Sequence, residues 1–260
     1  MVKPTAGRLL KVIFNYESSQ MPPPFSHKYR IELDLENKDP FVNIYLKYTD
    51  RDELSEDEIM DEGYTLNDDF EWKGILPQLW KEAVLAKINQ SNFIKNKQPS
   101  SGHIPFLELT LVHSNENTQH LIPAEEKTWE PFLQEIIQAG FEKAGKEKPL
   151  LIRFVSIVNK KTTLKELVLS FADRNLLINI GDGNANHLEK KLSWQSGQKL
   201  MKNIYILEYP VEKGIHKFPS TEGNYIDMGD GIWYDLDKDV DSPTNRKDLV
   251  KELIGILDNY

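Results

Sequence analysis

Four aspartates at every second position near the end of the chain have the residue type and spacing of calcium ligands. An EF-type loop places oxygen ligands at positions 1, 3, 5, 7, 9 and 12 and a glycine at position 6. Counting from Asp237, the stretch supplies Asp239 and Asp241 at positions 3 and 5 and Asp248 at position 12, but Ser242 occupies the glycine position. Ser242 followed by proline is typical of a helix start. We therefore predict a solvent-exposed segment that leads into a helix, with no bound metal or other cofactor. The calcium candidates of the alternative interpretation are Asp237, Asp239, Asp241 and Asp248.

A Gly-Asp-Gly turn provides a candidate acid–base pair. The apolar stretch NLLINIG, residues 175–181, is followed by Asp182 and, five residues later, by His187. Backbone N–H groups at such a turn bind anions, although the charge of Asp182 opposes phosphate. If the chain is an enzyme, of hydrolase type, Asp182 and His187 are the residues we expect to transfer protons. The motifs HExxH and G-x-S-x-G of zinc peptidases and serine hydrolases do not occur in the sequence.

The segment GFEKAGKE, residues 140–147, matches a nucleotide-binding P-loop until its last position. Glu147 stands where a serine or threonine must ligate magnesium, and its carboxylate would repel phosphate. A P-loop also follows a strand and begins a helix, whereas this segment ends a helical pattern. The pattern predicts a helix end with Gly145 as its C-cap.

Acidic and aromatic residues alternate in the first third of the chain. Acids are concentrated in residues 50–62, and the stretch NDDFEW follows shortly after. A run of charge is usually a solvated surface. Aromatic side chains among acids are also typical of a surface that binds a basic protein. The predicted partner-binding residues are Tyr64, Asp68, Asp69, Phe70, Glu71 and Trp72.

Composition excludes several classes of protein. The chain has 260 residues, a formal net charge of −9 and no cysteine. Nucleic-acid binding requires clustered Lys and Arg, so this charge argues against it. No apolar stretch approaches the roughly 18 residues of a membrane span. We predict a cytoplasmic protein without disulfides, thiolate metal sites, nucleic-acid partners or membrane partners.

The apolar pattern predicts an α+β fold of antiparallel β-meanders packed against amphipathic helices. In KYRIELDLE, apolar and charged residues alternate strictly, which is typical of a half-buried strand. Similar patterns precede and follow it, and a second meander is predicted from LLIRFVSIV, LKELVLSFA and NLLINIG. Helical spacing predicts helices over 75–89, 128–144 and the end of the chain. NIYILEY, residues 203–209, is interpreted as a strand.

The linker-like stretch NKQPSSGHIP suggests the domain organisation. It collects Pro, Ser and Gly between two periodic segments, so a boundary is expected at 96–103. The units are then 1–95 and 104–260, or one continuous domain with a loop there. Two helices that each follow a tryptophan leave open two similar α+β units.

The sequence favours a non-catalytic cytoplasmic interaction or regulatory protein that binds a basic protein through its acidic and aromatic surface. The alternative is an enzyme whose site is assembled from dispersed Asp and His residues. The acidic composition without a complete catalytic motif motivates the first interpretation, and the Gly-Asp-Gly turn motivates the second.

Overall fold

The computed structural model describes residues 1–4, 7–18, 21–94, 106–115, 117–181, 187–240 and 247–258. The chain divides into two compact units, residues 1–147 (unit 1) and 148–260 (unit 2). The predicted linker at 96–103 lies outside the described residues. The strands on both sides of it belong to one sheet, so the division falls at 147/148 and differs from the predicted boundary.

Unit 1 consists of one antiparallel sheet and its helices. Its described elements are β1 (Leu9–Glu17), β2 (His27–Asp34), β3 (Phe41–Tyr48), α1 (Glu56–Asp61), β4 (Phe70–Ile75), α2 (Gln78–Gln90), β5 (Phe93–Ile94), β6 (Phe106–His113), β7 (Thr118–Pro123) and α3 (Glu130–Lys143). The strands are ordered β4-β3-β2-β1-β6-β7-β5. The predicted meander of the first three strands is confirmed.

Unit 2 is a second antiparallel sheet with two helices among its described residues. Its elements are β8 (Leu150–Val158), β9 (Lys161–Ser170), β10 (Asn175–Gly181), β11 (His187–Leu192), α4 (Trp194–Tyr205), β12 (Gly223–Asp227), β13 (Tyr234–Asp235) and α5 (Lys247–Asp258). The strands are ordered β11-β10-β9-β8-β12-β13. The second predicted meander is confirmed, and with it the α+β class.

The two units share one order of elements. If α1 and the two-residue β5 are set aside, each unit runs through four strands, a helix, two strands and a helix. The strand order is also the same, because β4-β3-β2-β1-β6-β7 corresponds position by position to β11-β10-β9-β8-β12-β13. The structure therefore repeats one topology twice, in agreement with the alternative of two similar α+β units.

Alternation along each strand of unit 1 separates a buried face from a face that we call the open face. Phe14, Ile31 and Ile44 are fully buried, and α3 packs on this side, with the Trp129 ring centroid 5.7 Å from that of Phe14. Full burial of one such side chain contributes roughly 1.5–3 kcal/mol. The open face is polar, and its pattern in β2 is the one that the sequence predicts.

The interpretation of residues 203–209 as a strand is wrong. Asn203 to Tyr205 form the last turn of α4. Trp194, Gly197, Leu200 and Ile204 are its buried positions, and their spacing places them along one side of a helix. A short apolar run is compatible with either structure, and packing against the second sheet selects the helix.

Helix ends follow the local signals. Gly145 has φ 69° directly after α3, and the N–H of Lys146 donates to the carbonyl of Phe141 at 3.0 Å. This is the helix end predicted in place of a P-loop.

None of the helices in the described parts of the chain combines the length and apolar character needed to cross a membrane.

Candidate functional site

Residues 50–69, which we call the acidic segment, connect β3 to β4 and contain α1. The segment carries ten acidic side chains and one basic side chain, Arg51. All the acids except Asp68 are exposed. Met60 and Leu66 lie among them with 59% and 62% of their surface exposed. The acidic segment therefore exposes two apolar side chains in the same stretch of chain as nine exposed carboxylates.

Arg51 anchors the acidic segment to the rest of unit 1. Its guanidinium lies 3.8 Å from the centroid of the Tyr48 ring and 4.8 Å from that of Tyr64. Its Nη1 donates to the carbonyl of Thr65 at 2.6 Å and to Oδ2 of Asp68 at 2.7 Å. Only 10% of the Arg51 side chain is exposed. The one cation of the segment is therefore used inside the fold and leaves the surface charge uncompensated.

Asp68 belongs to this anchor. Burial acts to raise the pKa of Asp68, but hydrogen bonds from Thr65 and the interaction with Arg51 outweigh it and lower the pKa below its ordinary value. The Thr65 N–H and hydroxyl donate to its two oxygens at 2.8 and 2.6 Å. Asp68 therefore holds the loop in place and is half-buried, unlike its exposed neighbour Asp69.

A capping box fixes the start of α1. The N–H of Ser55 donates to Oε2 of Glu58 at 2.8 Å, and the N–H of Glu58 donates to the Ser55 hydroxyl. Hydrogen bonding by Ser55 lowers the pKa of Glu58. Ile59 is the one buried residue of α1, so the rest of this short helix faces solvent.

Strand alternation divides the predicted partner-binding residues between two faces of the sheet. Phe70 is 3% exposed, and its ring centroid lies 4.3 Å from that of Phe141 on α3. Trp72 shares this face and is half-buried. Asp69 and Glu71 are exposed and project toward the open face. Phe70 and Trp72 therefore support the fold, whereas Asp69 and Glu71 are exposed.

A groove of about 580 Å³ crosses four strands on the open face. Two rows of side chains form its walls, and the cross-strand register sets each row. The first row is Asn15, Arg30, Tyr45 and Glu71, and the second is Glu17, Lys28, Lys47 and Asp69. Residues of the acidic segment and of β4 thus form one end of the groove.

Charge is unevenly distributed along the groove. Arg30 is paired with Glu32 at 2.6 Å, and Lys73 with Glu71 at 2.9 Å. Hydrogen bonds with Tyr45 and Glu71 raise the pKa of Lys73. Lys28 and Lys47 are directly opposite each other. Within the described residues, neither side chain has an ion pair or a hydrogen bond. The centre of the groove is therefore cationic and its β4 end is acidic.

The described residues do not show the geometry of the candidate acid–base pair. Asp182 lies outside the described residues, and His187 begins β11 opposite Gly181, with its side chain also outside them. Asp227 lies just before a second Gly-Asp-Gly turn, residues 229–231, and is fully buried. It accepts from the N–H of Gly229 and Gly231 and forms an ion pair with Arg153. Its contacts stabilise the turn between β12 and β13.

The calcium candidates are only partly described. Asp239 accepts from the N–H of Asp235 at 3.1 Å, and the carboxylate of Asp235 in turn bonds Lys238 at 2.6 Å. Asp237 is exposed, Asp248 lies in the first turn of α5, and Asp241 falls outside the described residues. Among the residues described, no three or more acidic or histidine side chains gather where a metal ion could bind.

Sequence reasoning missed the groove. The groove extends over four strands, and Asn15 and Glu71, which are far apart in the chain, belong to one row only through the registers of β1 to β4. The sequence signal that could have revealed the groove is the set of polar residues at the outward-facing positions of each alternating strand, because these residues form the open face.

The two units differ in charge. In residues 148–260, Lys and Arg equal Asp and Glu in number, so the whole net charge of −9 belongs to residues 1–147.

Comparison with known proteins gave no matching family model, no similar curated protein and no similar solved structure.

Proposed function

We propose that the protein is a non-catalytic binding protein that recognises a basic protein partner through the acidic segment of unit 1. The observation that carries this proposal is the composition and exposure of residues 50–69: the segment carries nine exposed carboxylates together with the exposed side chains of Met60 and Leu66, while its only cation, Arg51, is engaged inside the fold. Apolar anchors with a polar rim are the usual anatomy of a protein interface.

Electrostatics supports the choice of partner. Complementary charge accelerates association and selects against partners of the wrong sign. The concentration of the net charge in unit 1 gives this unit a negative potential that an electrically neutral unit would lack. The apolar side chains add a short-range contribution that charge alone does not provide.

Four purified full-length proteins are used to capture partners from a lysate. The affinity of each of the four for the captured protein is then measured. Wild type is compared with a neutralised variant, Asp57→Asn with Asp61→Asn and Glu62→Gln. A matched control removes the same number of exposed charges from unit 2, with Glu208→Gln, Glu212→Gln and Glu222→Gln. The fourth protein keeps all charges but carries Met60→Ser and Leu66→Ser.

We expect wild type and the matched control to bind one basic protein equally, and the neutralised variant to bind it at least about tenfold more weakly, a change of 1.4 kcal/mol. The Met60 and Leu66 variant should also lose affinity, because a merely ionic association would not require apolar anchors. Equal binding by all four proteins, or capture of acidic proteins only, would contradict the proposal.

A further inference from the structure

Strand β4 forms one edge of the sheet in unit 1 and is hydrogen-bonded to β3 alone. The N–H of Leu76 donates to the carbonyl of Pro40 at 3.1 Å. Hydrogen-bonded pairs alternate along an antiparallel ladder, so this bond fixes which residues of β4 face β3. Phe70, Trp72 and Gly74 bond to β3. The intervening residues Glu71, Lys73 and Ile75 direct their N–H and C=O groups away from the sheet.

These outward backbone groups have no partner within the described residues. An open row of this kind is a template for an additional strand, and natural edges are usually protected by bulges, prolines or charged side chains, lysine above all. The pairing of β4 with β3 is regular over six residues, without a register shift, and β4 contains no proline. Its one lysine, Lys73, is paired with Glu71 and lies 5.3 Å from the centroid of the Tyr45 ring.

The side chains beside this edge define what an added strand must carry. Glu71 and Asp69 place two exposed acids at one end of β4. Ile75 and the directly opposite Phe41 place an apolar patch at the other end, with 63% and 44% of their surfaces exposed. Cross-strand neighbours of opposite charge, and apolar neighbours, each stabilise a sheet.

We propose that β4 receives an extended segment of the basic partner as an additional strand. This inference rests on the proposed function and specifies how the partner is bound. The segment carries a Lys or Arg opposite Glu71 and an apolar residue opposite Ile75, so these two residues are four positions apart. Backbone hydrogen bonds to Glu71, Lys73 and Ile75 supply the pairing, as in other strand-addition complexes.

The test uses full-length protein and a labelled nine-residue synthetic peptide rich in β-branched residues, with lysine at position 3 and valine at position 7. Lys73→Pro removes one outward N–H and leaves the bonds to β3 in place, since residue 73 does not bond to β3. Lys73→Gln is the matched control, because it removes the same charge and keeps the N–H. A thermal melt verifies that both variants remain folded.

We expect Lys73→Pro to weaken peptide binding about tenfold, since it removes a backbone bond and disturbs the added ladder, and Lys73→Gln to leave binding within about twofold of wild type. N-methylation of the peptide amides that face β4 should have the same effect as Lys73→Pro, and N-methylation of the alternate amides should not. The peptide comparison holds even if the proline variant fails to fold.

The outcomes separate this inference from the proposed function. Strand addition is overturned if no peptide binds, or if binding requires the acids but is insensitive to N-methylation and to proline. It is also overturned if sedimentation shows a wild-type dimer that Lys73→Pro dissociates, because β4 is then occupied by a second copy. In each case, capture of a basic protein that depends on Asp57, Asp61 and Glu62 would still support the proposed function.

Discussion

Arg51 and Asp68 form an ion pair at 2.7 Å that joins the two ends of the acidic segment. The guanidinium also contacts the rings of Tyr48 and Tyr64 and donates from Nε to the carbonyl of Pro24 at 3.1 Å. One side chain thus positions a loop whose other charges repel one another.

We predict that Arg51→Ala lowers the free energy of unfolding by about 1–3 kcal/mol, because Asp68 loses its ion pair and the carbonyl groups of Thr65 and Pro24 lose the guanidinium donor. Arg51→Lys should recover only part of this loss, since an ammonium cannot reproduce the planar contacts with two rings. Urea unfolding measures both. Arg30→Lys, on the exposed open face, is the matched control, and an equal effect of the two lysine substitutions would contradict the assigned role.

The lowered pKa of Asp68 predicts a contribution to acid stability. Since the pKa in the folded state is below the ordinary value of 3.8, the unfolded chain binds the proton more readily. The contribution is therefore present above about pH 4 and is lost as the pH falls through the folded pKa. Urea unfolding between pH 7 and pH 3 should show a smaller loss of stability for Asp68→Asn than for wild type. Equal losses of stability in the two proteins would show that the folded state does not stabilise the ionised carboxylate of Asp68.

Lys165 caps the C-terminal end of α5 from within the core of unit 2. It is 8% exposed, and its Nζ donates to the carbonyl of Leu257 at 2.6 Å. Burial lowers the pKa of Lys165. Lys165→Met should accelerate hydrogen exchange in the last turn of α5, because the carbonyl groups there lose a cationic donor. Lys161→Met, on the same strand but exposed, should leave exchange unchanged, and equal protection in both variants would contradict the capping role.

The division at 147/148 predicts two fragments that fold independently, since each unit has its own sheet and helices. Both fragments should show cooperative thermal unfolding by circular dichroism. At pH 7, fragment 1–147 should bind an anion exchanger and fragment 148–260 should not, because the whole net charge belongs to the first. A fragment that aggregates or lacks a transition would show that the units depend on each other.

Strands were predictable from sequence where one face is buried. Alternation at Tyr29, Ile31, Leu33 and Leu35 fixed β2 because period two separates core from solvent. The pairing of β1 with β6 was not predictable, since the paired residues are 89 to 104 positions apart in the chain and no local signal specifies their contact. The position of the division at 147/148 depends on the same long-range pairing, which no local pattern specifies.

The candidate site was predicted in part. The acids near residue 70 were identified, but the aromatic residues were assigned to the same surface. The stretch FEWKGI forms a strand, so Phe70 and Trp72 project to one side and Glu71 to the other. The patterns of hydrophobic residues in short edge strands are weak, and the assignment of a strand requires knowledge of its neighbour.

The repeated topology has an evolutionary consequence. A chain that contains one scaffold twice can conserve the architecture of both copies while selection alters their surfaces separately. In this chain the two copies share the order of their strands and helices and differ in charge, because residues 1–147 carry the whole net charge of −9 and residues 148–260 are neutral.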